Sequence, residues 1–419
     1  MPDLAPDEQV ALLMQGTEYG DDSLRQAMAD ELRACLEQAG RAGRPLRVYC
    51  GFDPRTSDLH LGHTVPMRKL RQFQELGHQV FFVIGRFTSL IGDPSDKDKL
   101  RPQITPEQAQ HNAETYAEQA FRILDPQRTE IVYNDTWLSP LTFRDVIGLA
   151  SNFTLQQFLT RETFRRRFER DEPIYLHETF YALMQGYDAY HLRADVQVGG
   201  SDQLFNIVTA ARKLMESLGS PPNIGIILGI LPGTDGVVKM SKSLGNHIAL
   251  QAAPDDMYGK VMSVPDAAMG SFFRLVTRWT PAEIAAIEAD LAAGQAHPRD
   301  VKMRLAREIV EIYHGQEQAQ EAEQAFVRVF RDRLSPTEVR VARIPVGSTV
   351  ATILTEYGMA RSKSEVRRLV RQGGVTLKGD PVMDSDAPLD ESDTGELRVG
   401  KRRFLFVEFV PPDPVEPEN

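Results

Sequence analysis

The chain has 419 residues, 42% of them hydrophobic, and a formal net charge of −11, which is enough apolar material for two or three packed domains. No apolar run reaches membrane-spanning length and the N-terminus lacks the basic start and apolar block of a secretory signal, so nothing argues for export and a cytoplasmic address is expected. Cys35 and Cys50 form no C-x-x-C pair, which rules out a disulfide framework and argues against structural zinc; no tightly bound metal is expected. The acidic balance opposes indiscriminate nucleic-acid binding. Charge is uneven, however: Met1–Glu31 carries eight acidic side chains against Arg25, whereas Arg361–Lys378 carries six basic ones against Glu365. That basic stretch fits either a nucleic-acid face or a solvated helix face.

In chain order, "LRVYC" (Leu46–Cys50) and "QVFFVI" (Gln79–Ile84) read as buried parallel strands. Between them Val65, Leu70, Phe73 and Leu76 have helical spacing, and Gly77 suits the C-terminal end. This βαβ unit predicts an α/β fold, a Rossmann-type doubly wound parallel sheet, with ligands beyond the carboxyl ends of the strands near His60, Asp93 and Asp202. A third strand, "ADVQVGG", precedes the helix-like "QLFNIVTAARKLMESLG". Phe153–Arg193 reads as helical, with the basic patch "RETFRRRFER", and Asp235-Gly236 reads as a tight turn into a short basic loop. Pro254 to about Arg333 is helical and charged, Ser335–Ile344 reads as a linker, and Pro345–Val410 as a small α+β module. The expected domains are 1–250, 251–334 and 345–412.

"HLGH" at His60–His63 allows a metal site, a pair of core histidines, or a phosphate site. No third ligand completes a metal pattern, and packing accounts for at most one imidazole. A helix N-terminus with unpaired backbone donors attracts phosphate, two imidazoles add side-chain donors, and Gly62 lets a flat base approach the backbone. Downstream, Lys239-Met240-Ser241-Lys242-Ser243 puts two lysines and two hydroxyls on a turn. Alone it reads as a solvated loop; paired with "HLGH" it reads as a cationic clamp for phosphates.

Those two signatures, in that order, resemble the class I aminoacyl-tRNA synthetases. "YCGFDP", "LIGDPS", "YALMQGYD" and "GGSDQ" narrow the resemblance to bacterial tyrosyl-tRNA synthetases, from about Leu46 to the C-terminus. The resemblance implies L-tyrosine, ATP with Mg²⁺ carried on the nucleotide, and tRNA(Tyr) as substrates, and a homodimer whose candidate interface is Phe153–Arg167. It implies His60, His63, Lys239 and Lys242 as the catalytic groups. For tyrosine it implies Asp93, Tyr181 and Gln185 on the ammonium, Tyr49 and Asp188 on the phenol, and Gln203 near the carboxylate. For ATP it adds Cys50, Gly51, Asp53, Gly62, Gly200, Asp202, Met240, Ser241 and Ser243. Tyr181, Gln185 and Asp188 share one face if their segment is helical, a poor core stripe and a good polar lining.

The chain departs from the family at Arg86, Ser89 and Asp96, which leaves the path of that loop open; Lys97 and Arg101 read as added phosphate charge or as solvated residues. "ARSKSEVRRLVRQGGVTLKG" resembles an S4-type RNA-binding module, which implies RNA contacts by Arg361, Lys363, Arg367, Arg368 and Arg371. The helical 251–334 segment would recognise the anticodon by the same resemblance. A tryptophanyl enzyme and a noncatalytic RNA-binding protein on this scaffold are the competing readings. An indole offers only a donor, and intact His60, His63, Lys239 and Lys242 oppose lost catalysis.

Overall fold

The computed structural model describes residues 4–54, 59–95, 105–330, 341–400 and 403–410. Runs of β-branched and apolar residues form the strands β1 (Arg47–Phe52), β2 (Gln79–Ile84), β3 (Thr129–Tyr133), β4 (Val196–Gly200) and β5 (Ile224–Leu228). They make one five-stranded sheet in the order β3-β2-β1-β4-β5, parallel throughout. The order reverses between β1 and β4, the crevice in which doubly wound folds bind their ligands. β1, β2 and β4 are the strands expected from sequence; β3 and β5 are additional.

The helix Leu61–Glu75 crosses from β1 to β2 and buries Val65, Leu70 and Phe73 under the sheet. Gly77, at φ +91°, turns the chain out of it. Thr17 bridges to Leu228 and the Tyr19 hydroxyl donates to the Gly225 carbonyl at 2.5 Å, so the N-terminal segment covers the β5 edge. After β4 the expected helix is composite: a 3-10 turn at Ser201–Gln203, a π-helical stretch at Phe205–Ala211 and an α-helix at Arg212–Ser217. Such a bulge next to a ligand crevice re-aims side chains that a regular helix would point elsewhere.

Helices Pro254–Ser263, Met269–Val276, Pro281–Ala292 and Pro298–His314 follow. They belong to the same compact unit as the sheet, Met1–Gln320, and the buried Tyr313 hydroxyl donates to Thr64 of the first crossover helix at 2.9 Å. The second unit is Glu321–Asn419. Its sheet runs β6-β10-β9-β7-β8, where β6 is Val341–Pro345, β7 Val375–Leu377, β8 Asp380–Pro381, β9 Gly395–Val399 and β10 Arg403–Val410. Helices Val350–Glu356 and Lys363–Arg371 lie between β6 and β7, and Val366 and Val370 are buried in the unit's core with Ile353 and Leu405.

Val341–Ile344 corrects the expected linker: these residues pair in parallel with Phe406–Phe409 and begin the C-terminal module. Ala342 and Ile344 are buried with exposed Arg343 between them, an alternation too short to read as a strand from sequence beside Pro345. The rest of that linker, residues 331–340, the loop with Asp96, Lys97 and Arg101, and residues 411 and 412 lie outside the described residues. No described helix is long and apolar enough to cross a membrane.

Candidate active site

His60 is the N-cap of the crossover helix, with extended backbone (φ −129°, ψ 170°). Its Nδ1 accepts the Gly62 amide at 3.2 Å, while Nδ1 of His63 accepts the His60 amide at 3.2 Å. A ring nitrogen that accepts from a backbone N–H carries a lone pair, so each neutral imidazole keeps its proton on Nε2. The rings lie 3.9 Å apart. Burial, then the neighbouring His63, His247 and Lys239, lower the His60 pKa to about 3; burial and then Lys239 lower that of His63 to about 4. Both rings are therefore neutral N–H donors at physiological pH.

This corrects the expectation of free amides at this helix start. The Leu61 amide donates to the Ile248 carbonyl, and those of His60 and Gly62 go to the two rings. A Cβ on Gly62 would stand 3.0 Å from Cε1 of His60, so the missing side chain first makes room for the folded-back imidazole.

The second signature reaches the same place. Leu250 donates to the Leu59 carbonyl, and the Met240 Cβ lies 3.6 Å from where a Gly62 Cβ would be. Lys239 Nζ donates to Asp202 Oδ2 at 3.2 Å, just beyond β4. Buried Asn246 organises the turn: its Oδ1 accepts the Ser241 amide at 2.8 Å and its Nδ2 donates to Asp235 Oδ2 at 2.6 Å. The Ser241 and Ser243 hydroxyls are 2.9 Å apart, and exposed Lys242 opens the 3-10 turn Lys242–Leu244. Asp235 accepts the Val237 and Val238 amides, as its tight-turn reading requires.

Across the switch point Tyr49 is fully buried and its hydroxyl donates to the Gln185 carbonyl at 3.1 Å. The helix Leu176–His191 carries Tyr181, Gln185 and Asp188, as their spacing required. Asp188 Oδ1 accepts Trp137 Nε1 at 2.7 Å and its Oδ2 accepts Asn134 Nδ2 at 3.3 Å. Burial outweighs those two donors and raises its pKa to about 7. Burial foremost, with Asp188 close by, raises the Tyr49 phenol. Among the described residues Gln185 Oε1 is buried without a hydrogen-bond partner.

The expected ammonium set is divided between two carboxylates. Tyr181 donates to Asp53 Oδ2 at 3.0 Å, and Thr88 to Asp53 Oδ1 at 2.7 Å. Asp93 Oδ1 accepts from the Ser95 amide (2.9 Å), the Ser95 hydroxyl (2.5 Å) and Arg161 (3.2 Å), and its Oδ2 accepts Gln203 Nε2 at 2.5 Å. Gly85 makes room for the first carboxylate, since a Cβ there would meet Asp53 Oδ1 and Thr88 Oγ1. Cys50 is buried at the end of β1, Gly51 is exposed beside it, and Gly200 ends β4. Thr88, Ser95, Asn134, Trp137, Arg161 and Asn206 were not found from sequence. Ser95 meets Asp93 two residues away; the others act through partners tens of residues away, and local periodicity carries no trace of those.

Among the described residues no group of three or more His, Cys, Asp or Glu side chains is arranged to hold a metal ion. In the C-terminal unit Arg361, Lys363, Arg367, Arg368 and Arg371 are all exposed. Ser362 caps their helix by accepting the Glu365 amide, but Glu365 returns to the Arg361 amide, so only half of the capping box forms. Arg367 is engaged by Asp386 through bonds of 2.8 and 3.1 Å.

Residues 41–331 match the family of tRNA synthetases class I (W and Y), and residues 350–394 match the S4 domain. The chain is 47% identical over 376 residues to a tyrosine–tRNA ligase of Moorella thermoacetica, covering 90% of this chain and 91% of that protein. It is 44% identical over 404 residues to the tyrosine–tRNA ligase of Thermotoga maritima, covering 96% and 98%. Two solved structures share the fold at 23% identity. One is a C-terminally truncated Aspergillus nidulans mitochondrial tyrosyl-tRNA synthetase (TM-score 0.61, 77% of this chain and 94% of that one). The other is an Archaeoglobus fulgidus tyrosyl-tRNA synthetase complexed with L-tyrosine (TM-score 0.58, 76% and 100%).

Proposed function

The chain belongs to the class I tRNA synthetases (W and Y), and from that footing we propose how its own residues divide the work. The reaction is that of a tyrosine–tRNA ligase: L-tyrosine and ATP give tyrosyl-adenylate, and the tyrosyl group passes to the 3′-terminal ribose of tRNA(Tyr). A tyrosine carboxylate oxygen attacks the α-phosphorus of ATP, which enters as its Mg²⁺ complex, and pyrophosphate leaves. A ribose hydroxyl then attacks the acyl carbon and AMP leaves. Neither step needs a side-chain nucleophile, so positioning and charge stabilisation must supply the rate.

His60 and His63 hold the reacting phosphates through their Nε2–H groups, which need no proton from solvent because both rings stay neutral. Lys239 and Lys242 close on the departing pyrophosphate, Lys239 exchanging Asp202 for phosphate and leaving that carboxylate to the ribose. Cys50, Gly51, Asp53, Gly62 and Gly200 line the nucleotide, and Met240, Ser241 and Ser243 shape the clamp. Tyr49 and Asp188 meet the phenol, Asp93, Tyr181 and Gln185 the ammonium, and Gln203 the carboxylate. The observation that carries this reading is Lys239 on Asp202 with Met240 against Gly62, which brings both signatures to one edge of the sheet.

Arg361, Lys363, Arg367, Arg368 and Arg371 contact the tRNA backbone, and residues 251–330 serve the anticodon. The working form is a cytoplasmic homodimer. Phe143, Ile147, Leu155, Phe168 and Leu176 are each more than half exposed within one stretch of chain, which supports an interface there. The test is ATP–pyrophosphate exchange with tyrosine, with tryptophan and with no amino acid. Tyrosine-dependent exchange alone supports the reading; exchange with tryptophan, or none, removes it.

A further inference from the structure

Arg161 is not among the residues that touch substrate in the reading above, yet it is a buried cation at the edge of the site. Its side chain is 4% exposed, and its guanidinium carbon lies 5.2 Å from the Phe164 ring and 6.0 Å from the Phe205 ring. These aromatics pack with Phe158 and Leu183 in a small core, a poor medium for a charge without a counter-ion. Among the described residues the only carboxylate bonded to Arg161 is Asp93, at 3.2 Å, and the Ser95 hydroxyl is the other partner. Among the described residues Nη1 is buried with no hydrogen-bond partner. Its charge is the property that the site uses.

We infer that Arg161 is a specificity-determining residue: by neutralising Asp93 it makes the amino-acid site select a zwitterion over a cationic amine. The inference rests on the proposed reading that Asp93 receives the substrate ammonium. With Arg161 present, Asp93 and Arg161 sum to zero, and an incoming amino acid balances its own ammonium with its own carboxylate. An amine without the carboxylate adds an unbalanced positive charge next to a guanidinium. Asp93 keeps two partners that do not touch Arg161, the Ser95 amide on Oδ1 and Gln203 on Oδ2, which hold the carboxylate when the guanidinium is removed. The effect is therefore electrostatic, and it separates ligands by net charge rather than by shape.

The test uses the full-length protein and compares dissociation constants for L-tyrosine and tyramine by calorimetry. Arg161→Met removes the charge and keeps an apolar stem. The affinity ratio is expected to move toward tyramine by about tenfold, the order expected for a unit charge a few ångströms away in a partly screened site. Arg161→Lys keeps the charge and should leave the ratio within about twofold of the unmodified protein, whatever happens to absolute affinity. Asp93→Asn should move the ratio the other way. If Arg161→Met does not fold, Asp93→Asn/Arg161→Met is compared with Asp93→Asn, and the same tenfold shift toward tyramine is expected. A ratio unmoved by loss of Arg161, or equally moved by Lys and Met, overturns the assignment of Arg161 alone. A ratio unmoved by Asp93→Asn overturns the ammonium reading of Asp93, and this inference with it.

Discussion

The switch-point crevice and the basic helix of the C-terminal unit both gather polar side chains, but they are built in opposite ways. In the crevice His60, His63, Asp93 and Asp188 are tied to partners that set the direction, tautomer or charge of each. On the basic helix the arginines are exposed, and so is Asp386, the partner of Arg367. Exposed pairs contribute little and are screened by salt, whereas desolvated groups are strongly coupled to their surroundings. A single substitution should thus be severe in the crevice and graded on the helix.

The sharpest way to break this contrast is His63→Ala. Loss of a directed donor to the reacting phosphate is expected to lower the rate of pyrophosphate exchange by about 10²–10³-fold with tyrosine affinity within about threefold. His63→Gln, which can place an N–H near the former Nε2, should recover part of the rate. Lys242→Ala should likewise slow adenylate formation far more than it weakens tyrosine binding. Equal losses in rate and affinity would remove the transition-state role of either residue.

Next in size is removal of the basic helix together with the β6–β10 sheet it packs on. Ending the chain at Phe330 should leave pyrophosphate exchange within about twofold and reduce tRNA charging by about 100-fold, because only the second step needs the polyanion. The cut belongs there and not after Pro345, since that would strand the β6 residues without β10. Collapse of exchange would show that the first unit does not stand alone.

Asp188 gives a pH signature. In the unfolded chain it ionises near its ordinary 3.8, in the folded protein only near about 7, so between these values the folded state holds a proton that the unfolded state has released. Its contribution to stability is then present at low pH and falls as pH rises from about 4 to about 7. Asp188→Asn should flatten that fall, on the order of 2–4 kcal/mol at most, in melts followed across the window. The same variant should lose preference for a phenol over a phenyl ring. The smallest effects belong to the helix: Arg368→Ala or Arg371→Ala should lower charging efficiency about threefold and reduce the salt slope by about 1 each. Asp386→Ala should do the opposite, by about twofold, by releasing Arg367.

What could be read from sequence follows the range of the interaction. The helix from Leu61 shows itself in the spacing of Val65, Leu70 and Phe73, and the stripe of Tyr181, Gln185 and Asp188 in their separation along one helix. β5, "IGIIL", is a short apolar run whose strand nature comes from its place at the sheet edge, and "VARI" becomes a strand only because β10 lies beside it. Trp137 and Asn134 reach Asp188 from 51 and 54 residues away, and Arg161 reaches Asp93 from 68. No periodicity reports such pairings. The signatures were legible because they are local strings; the groups that hold them were not.

The ring nitrogens that close off the first turn have one further result. A phosphate cannot settle into the mouth of the helix, where amides usually line a cup, because those amides are already in use. A ligand there meets ring Nε2–H groups in place of amides, so the helix field acts on it only across an imidazole and a second hydrogen bond.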